Sequence, residues 1–246
     1  MDIVRCPIVE LRQYTLHPGQ RETMITLFDR ELVESQEELG MVILGQFRDR
    51  DNPDRFVWLR GFETMPGRAE ALASFYSGPA WRACSAEANA TMIDSDNVLL
   101  LRPVAAHSGF PAPGTARPPA GQTEPELLTT LILATIFYRD RPFDDDFLNF
   151  FDRQARPALA EAGADPLAWL QTEYAENTFP ALPVRTGEHA FVWFTRFSSA
   201  AQAGACEDRL SRSDFWQEKA LPRLSAMAAG APERLRLVPT DRSLLR

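Results

Sequence analysis

The chain has 246 residues, of which 45% are hydrophobic, so it is long enough to bury a substantial core. Its net charge of −8 disfavours a general phosphate-binding role, and therefore nucleic acid as a partner. No apolar stretch reaches the roughly 18 residues of a membrane span. The N-terminus also lacks the apolar core of a secretory signal, so we expect a cytoplasmic protein with no membrane partner.

The three cysteines, Cys6, Cys84 and Cys206, are far apart and odd in number, which argues against a disulfide framework. No cysteine or histidine spacing is typical of a zinc site, so we predict no metal. The sequence also lacks a glycine-rich phosphate loop and a nucleophile elbow, and we therefore expect no cofactor.

Hydrophobic periodicity in the first half predicts the order strand, helix, strand, strand, helix, strand. A turn at 49–54 contains the Asp, Asn and Pro residues that turns favour. The predicted strands are 8–16, 41–48, 54–64 and 97–102, and the predicted helices are 18–39, 66–76 and 79–90.

The third predicted strand, DRFVWLRGFET at 54–64, alternates between two kinds of side chain. One face carries Val57, Leu59 and Gly61 and is small and aliphatic. The other face places Arg60 among three aromatic residues, and a guanidinium needs a partner there if the strand is buried. The aromatic residues of that face are Phe56, Trp58 and Phe62.

A segment rich in Pro, Gly and Ala at 104–126 predicts a linker between a first domain, 1–103, and a second, diverged domain, 127–246. The second half repeats the order of elements. Its predicted strands are 129–138, 167–176, 188–197 and 233–238, and its predicted helices are 143–162 and 199–229.

Matching residues support an internal repeat. Phe56-Val57-Trp58 matches Phe191-Val192-Trp193, and Trp81 matches Trp216, both at an offset of 135. Tyr14 and Pro18 match Tyr138 and Pro142 at an offset of 124. The difference of 11 residues predicts an insertion before the third strand of the second half, at 177–189.

Two βαββαβ units predict an α+β protein of two tandem ferredoxin-like domains. Each unit would form a four-stranded antiparallel sheet with helices on one face. Because the other face must also be covered, we expect the two sheets to pack against each other as an α/β barrel. Strands one and three should pair at the centre of each sheet.

Four segments, 9–21, 37–49, 54–64 and 88–103, resemble the NIPSNAP family of the dimeric α/β-barrel superfamily. The resemblance is strong across 8–103 and much weaker across 127–238. It implies ferredoxin-like halves that meet sheet to sheet. The wider superfamily includes cofactor-free monooxygenases, decarboxylases, cyclases and haem proteins, so it implies a range of activities rather than one. No histidine lies on the helix faces where haem-binding relatives place their ligand, which argues against haem.

The candidate catalytic residues are Glu10, Arg12, Tyr14 and Arg60, which we expect to face the space between the sheets. At the offset of 124, Glu10 and Arg12 become Ala134 and Ile136, and Arg60 becomes Thr195 at the offset of 135, so only the first half keeps an ionisable set. The candidate ligand-binding residues are Phe56, Trp58, Phe62, Asn89, Tyr138 and Trp193.

Two interpretations of the ionisable set remain open. It forms a structural ion-pair network, or its arginines hold a carboxylate, phenolate or carbonyl oxygen while Glu10 or Tyr14 moves a proton. An aromatic or carboxylate-bearing small molecule is the partner that the second interpretation requires.

Three functions are compatible with these features. The first is a cofactor-independent enzyme of secondary or catabolic metabolism that acts by proton transfer, cyclisation or oxygenation. The second is a ligand carrier without turnover, and the third is an interaction scaffold. The fused halves already pair with each other, so self-association of the chain is allowed but not required.

Overall fold

The computed structural model describes residues 6–112, 116–120 and 129–246. Their strands are β1 (Ile8–Leu16), β2 (Val42–Asp49), β3 (Arg55–Phe62), β4 (Met92–Pro103), β5 (Leu131–Arg139), β6 (Pro166–Thr172), β7 (His189–Phe197) and β8 (Glu233–Pro239). Their α-helices are α1 (Arg21–Leu27), α2 (Glu34–Glu37), α3 (Met65–Ser77), α4 (Pro79–Thr91), α5 (Asp145–Phe150), α6 (Arg156–Glu161), α7 (Ala200–Ser211) and α8 (Leu221–Ala226). Short π-helical turns occupy Phe28–Leu32, Phe151–Ala155 and Trp216–Ala220.

The strands form one closed barrel in the order β1-β3-β2-β8-β5-β7-β6-β4. Each half contributes a four-stranded antiparallel sheet with its first and third strands at the centre. The β2–β8 and β4–β6 pairs join the two sheets at their edges. The predicted α+β barrel of two ferredoxin-like units is therefore confirmed.

The barrel interior is filled by apolar side chains from all eight strands. Val9, Leu11, Val57 and Leu59 point into it and are at most 1% exposed. Because successive side chains of a strand point to opposite faces, their neighbours must point outward, toward the helices.

The predicted orientation of the candidate catalytic residues is therefore wrong. Glu10, Arg12, Tyr14 and Arg60 lie on the helix side of the first sheet, and the space between the sheets holds apolar residues instead. The physical reason is that apolar side chains fill this barrel interior, where a charged group would lack a polar partner.

Each sheet packs its outer face against its own helices. In the first half, Phe56, Trp58 and Phe62 meet α1, α3, α4 and the first π-helical turn. In the second half, Trp193 takes part in the corresponding core. All four aromatic side chains are at most 5% exposed and contribute to the packing of these two layers.

The two halves correspond at an offset of 123 through their first two strands, and the predicted 124 is wrong. β1 begins at Ile8 and β5 at Leu131, and the first two π-helical turns begin at residues 28 and 151. Gly40 and Gly163 end the following helices, with φ of +85° and +84°.

The corrected register changes the matched residues of the first strand. Tyr14 pairs with Phe56, and Phe137 pairs with Phe191, so Phe137 and not Tyr138 is the counterpart of Tyr14. A shift of one residue moves a side chain to the other face of the sheet. The counterparts of Glu10 and Arg12 are accordingly Leu133 and Thr135, and Ala134 and Ile136 point into the barrel.

The predicted insertion lies in the connection between β6 and β7, which spans 173–188 where the first half has only 50–54. This segment, the inserted loop, reaches back over the first half. Its backbone hydrogen-bonds to β4 from Glu173 to Leu100 (2.9 Å) and from Arg185 to Val98 (2.9 Å). Phe179, Leu182 and Val184 pack against the first-half helix-side core.

β4 begins at Met92, five residues before the predicted start of this strand at 97. The predicted linker at 104–126 lies partly outside the described residues, at 113–115 and 121–126, as does the predicted start of the second domain at 127.

In the part of the chain that the structure describes, no helix is long and apolar enough to cross a membrane.

Packing inside the barrel predicts the effect of Gly45→Ala. A Cβ at Gly45 would lie 2.4 Å from Cζ of the buried Phe47 ring, so we expect a loss of about 1–3 kcal/mol in the free energy of unfolding. The second half has Ala168 and Leu170 at these positions, and both fit.

The double variant Gly45→Ala/Phe47→Leu should therefore lose less stability than the sum of its two single variants, as measured by urea denaturation. Gly204→Ala is a control, because a Cβ at Gly204 meets nothing within 4 Å. Strict additivity of the two barrel substitutions would contradict this account of the packing.

Candidate functional site

Three arginines hydrogen-bond to a single carboxylate on β1. Glu10 and Arg60 are paired across β1 and β3, so their side chains leave the sheet together on the helix side. Arg60 donates to Glu10 Oε2 from Nη2 (2.6 Å) and Nε (3.0 Å). Arg12 Nη1 donates to the same oxygen (3.0 Å), and Arg68 Nε, from α3, donates to Oε1 (2.7 Å). We call these four residues the arginine cluster.

The arginine cluster is sealed from solvent. The side chains of Glu10, Arg12, Arg60 and Arg68 are all 0% exposed. Burial alone would raise the pKa of Glu10, but the guanidiniums of Arg60, Arg12 and Arg68 together hold it well below its ordinary value. Glu10 is therefore a permanent anion here and is unsuited to accept and release a proton near neutral pH.

Neutral groups satisfy further donors of the cluster. Gln36 of α2 accepts from Arg60 Nη1 through Oε1 (2.8 Å), and the Tyr14 hydroxyl accepts from Arg12 Nε (3.2 Å). Burial is the main cause of the raised pKa of Tyr14, so its phenol stays protonated. The two residues act as fixed dipoles around the charges.

Aromatic faces complete the surroundings of the guanidiniums. Arg60 Cζ lies 4.9 Å from the ring centre of Trp58 and 5.4 Å from that of Phe62. Arg12 lies 5.5 Å from Trp58, and Arg68 lies 5.9 Å from Phe62. These distances allow cation–π attraction, which explains why arginine occurs in the middle of an aromatic strand face.

The inserted loop of the second half closes the cluster from outside. Arg68 Nη1 donates to Asn177 Oδ1 (2.9 Å) and reaches the Thr178 hydroxyl at 3.4 Å. The Thr178 hydroxyl in turn donates to the carbonyl of Met65 at the start of α3 (3.0 Å). A segment of one half thus fixes a charged residue of the other.

The predicted site residues fall into two groups. Glu10, Arg12, Tyr14 and Arg60 come together, and Phe56, Trp58 and Phe62 surround them in the same core. The remaining three candidates, Asn89, Tyr138 and Trp193, lie elsewhere.

Asn89 is exposed on α4. Tyr138 lies half-buried and donates from its hydroxyl to Glu233 Oε2 (2.7 Å). Trp193 faces the helices of the second half.

Sequence reasoning missed Arg68 and Gln36. Arg68 shares the buried face of α3 with Leu72 and Phe75, at helical spacing. The position of an arginine within an apolar helix stripe was the available signal that its guanidinium pairs with a buried carboxylate. Gln36 gave no comparable signal, because polar residues surround it in the sequence.

The second half has a cavity where the first half has the arginine cluster. A space of about 260 Å³ lies between the second sheet and its helices. The residues that match Glu10, Arg12, Gln36, Arg60 and Arg68 are Leu133, Thr135, Leu159, Thr195 and Ala203, and every one of them lines this second-half cavity.

The cavity wall is mainly apolar, with two hydroxyls. Trp193 and Trp216 contribute ring surface. Thr135 and Thr195 are 3% and 1% exposed, and their hydroxyls have no hydrogen-bond partner among the described residues. Burial raises the pKa of the Cys206 thiol, which therefore stays neutral and is a poor nucleophile.

The second-half cavity opens near a loose ion pair. Arg234 Nη1 lies 3.9 Å from Glu207 Oε1, and both side chains are more than half exposed. No group of His, Cys, Asp or Glu side chains able to hold a metal ion occurs within residues 6–112, 116–120 and 129–246.

The charge balance of the arginine cluster predicts a large effect of Glu10→Gln. The variant leaves three buried guanidiniums without a carboxylate, so we expect a loss of about 3–5 kcal/mol in the free energy of unfolding. Glu22→Gln is the control, because Glu22 is exposed, its partner Arg48 is only half-buried, and the pair should contribute about 0–1 kcal/mol.

The same comparison has a pH dependence. A folded-state pKa that is held low contributes stability above the unfolded value of about 4.3, and this contribution disappears as the pH falls toward the folded value. The difference between wild type and Glu10→Gln should be constant from about pH 6 to 8 and shrink below about pH 4.5. Urea denaturation at each pH measures it, and a difference that grows on acidification would contradict the assignment.

Solved structures share the fold of the whole chain. A proposed monooxygenase from Fusobacterium nucleatum is 10% identical, with 95% of this chain and 92% of that chain covered and a TM-score of 0.57. Another, from Lactobacillus acidophilus, is 13% identical, with 95% and 94% covered and a TM-score of 0.51. An anthrone oxidase-like protein is 14% identical, with 95% and 91% covered and a TM-score of 0.51. At these identities the likeness is one of fold.

The family model gives the sequence relationship. No curated protein matches the sequence. The NIPSNAP family model matches residues 9–107, which contain β1 from Val9 onward, β2 to β4 and the arginine cluster. The first half of the chain is therefore similar in sequence to the NIPSNAP family.

Proposed function

We propose that this protein binds a small, largely apolar molecule in the second-half cavity. The observation that carries the proposal is the replacement of the arginine cluster and Gln36 by five shorter or apolar side chains on the same framework. The replacement leaves space between sheet and helices, and two threonine hydroxyls face it. A cavity of about 260 Å³ is close to the lower end of the range of about 300–1,000 Å³ for small-molecule sites.

The first half is a poorer candidate for the ligand site. The sequence hypothesis required Glu10, Arg12 and Arg60 to line open space, whereas their side chains are fully buried against helices and rings. The arginines are held by Glu10, Gln36 and the inserted loop, and this arrangement supports the structural ion-pair interpretation.

The lining of the second-half cavity indicates a class of ligand. Trp193, Trp216 and Phe197 offer ring surface to a flat molecule. Thr135 and Thr195 offer hydroxyls to one or two polar atoms, such as a phenol or a ketone. A carboxylate of a ligand would have no cationic partner among the described residues inside the cavity, because Arg234 lies at the mouth and is exposed.

Turnover of the bound molecule is the enzymatic form of this proposal. Proton transfer, cyclisation or oxygenation without a cofactor would use an apolar space from which water is excluded, and the names of three fold relatives refer to oxygenation or oxidation. The cavity supplies hydroxyls and a neutral thiol, so binding is the part of the function that its chemistry supports best.

Filling the cavity should abolish binding. Ala203→Leu places a larger side chain into the space where the first half has Arg68, and we expect it to lower the affinity for 2-naphthol at least tenfold. Isothermal titration calorimetry measures the affinity. Ala73→Leu is a matched control on α3, because Ala73 is exposed, and it should bind like wild type. Equal affinity of wild type and Ala203→Leu would place the ligand elsewhere.

Removing one hydroxyl should change selectivity. Thr195→Val keeps the shape of the side chain but loses a hydrogen bond worth about 1 kcal/mol, so the affinity for 2-naphthol should fall about fivefold. Naphthalene, which lacks the phenol, should bind Thr195→Val at least as tightly as wild type. A parallel loss for both compounds would show that the hydroxyl does not contact the ligand.

A further inference from the structure

We infer that the arginine cluster of the first half holds a small monovalent anion, such as chloride, beside Arg68 Nη2. This site is separate from the second-half cavity and does not depend on its function. The inference rests on the charge balance of the cluster, on the donors that lack a partner, and on the neutral character of the loop that covers it.

The cluster has too little negative charge. Three guanidiniums hydrogen-bond to one carboxylate, which leaves a net charge of +2 among side chains that are 0% exposed. Uncompensated buried charge costs several kcal/mol per ion. Burial lowers the pKa of Arg68, Glu10 raises it, and Arg60 and Arg12 lower it again, so the net effect disfavours its charged form.

The cluster also lacks hydrogen-bond acceptors. Among the residues that the structure describes, the buried Arg68 Nη2 has no hydrogen-bond partner, and neither has the indole Nε1 of Trp58 in the same core. Both atoms are donors, whereas every acceptor named above already receives a hydrogen bond. A region with positive charge and spare donors is suited to an anion.

The surroundings favour a small anion over a metabolite. Asn177 and Thr178 of the inserted loop cover Arg68 with a neutral amide and a hydroxyl, where an aspartate would have reduced the net positive charge. The Trp58 ring lies against the guanidinium of Arg60, and the Phe62 ring lies against that of Arg68. Thr178 is exposed, so a short displacement of the inserted loop would connect the cluster to solvent.

Thermal unfolding at constant ionic strength tests the inference in solution. An anion that binds the folded state alone stabilises it in proportion to the logarithm of its concentration above Kd. We expect the Tm of wild type to rise with the logarithm of the chloride concentration as sodium chloride replaces sodium gluconate. Arg68→Gln, which removes the unpartnered donor, should lose at least half of this rise. Arg50→Gln, which removes an exposed charge in the β2–β3 turn, should keep it. An equal rise in wild type and Arg68→Gln would overturn the inference.

A second measurement requires no variant and decides the matter if Arg68→Gln does not fold. Crystals of the wild-type protein soaked in sodium bromide should show an anomalous peak in contact with Arg68 Nη2 in the first half. Bromide only at exposed arginines, or an ordered water in place of the anion, would overturn the inference.

Discussion

Closure of the barrel is the constraint on which the rest of the structure depends. Once eight strands close on themselves, their inner face can hold only side chains that fill a narrow space, and Val9, Leu11, Val57 and Leu59 do so here. Every second side chain must then lie under the helices. The charges of β1 and β3 are consequently buried, and they have to be balanced by neighbours on the same outer face.

The two halves fill the layer between sheet and helices differently. The first half fills it with guanidiniums, one carboxylate and aromatic rings, so its sheet and helices are joined by directional hydrogen bonds. The second half keeps the rings but shortens the side chains between them, so its sheet and helices are separated by a cavity. On one framework, the first half thus has hydrogen bonds between sheet and helices, and the second half has space there.

The architecture was predictable from the sequence because its signals are periodic and repeated. Alternation located the strands, and the repeated Phe-Val-Trp strand identified two copies of one unit. Alternation defines which residues share a face, but it does not say which face points into the barrel. Both faces of β3 contain apolar residues, and only the width of a closed barrel decides between them.

The predicted match of Tyr14 with Tyr138 is wrong for a related reason. An offset wrong by a single residue moves every side chain of a strand to the other face, and a chance pair of tyrosines was enough to cause it. Arg68 could not be placed from its own helix, since its partner Glu10 is distant in the sequence.

The inserted loop makes the first half depend on the second. Two copies of the first half alone, paired symmetrically, would present only 50–54 to each other, and neither could supply the amide of Asn177 to Arg68. Separating the two halves would therefore remove the acceptor that Asn177 provides to Arg68.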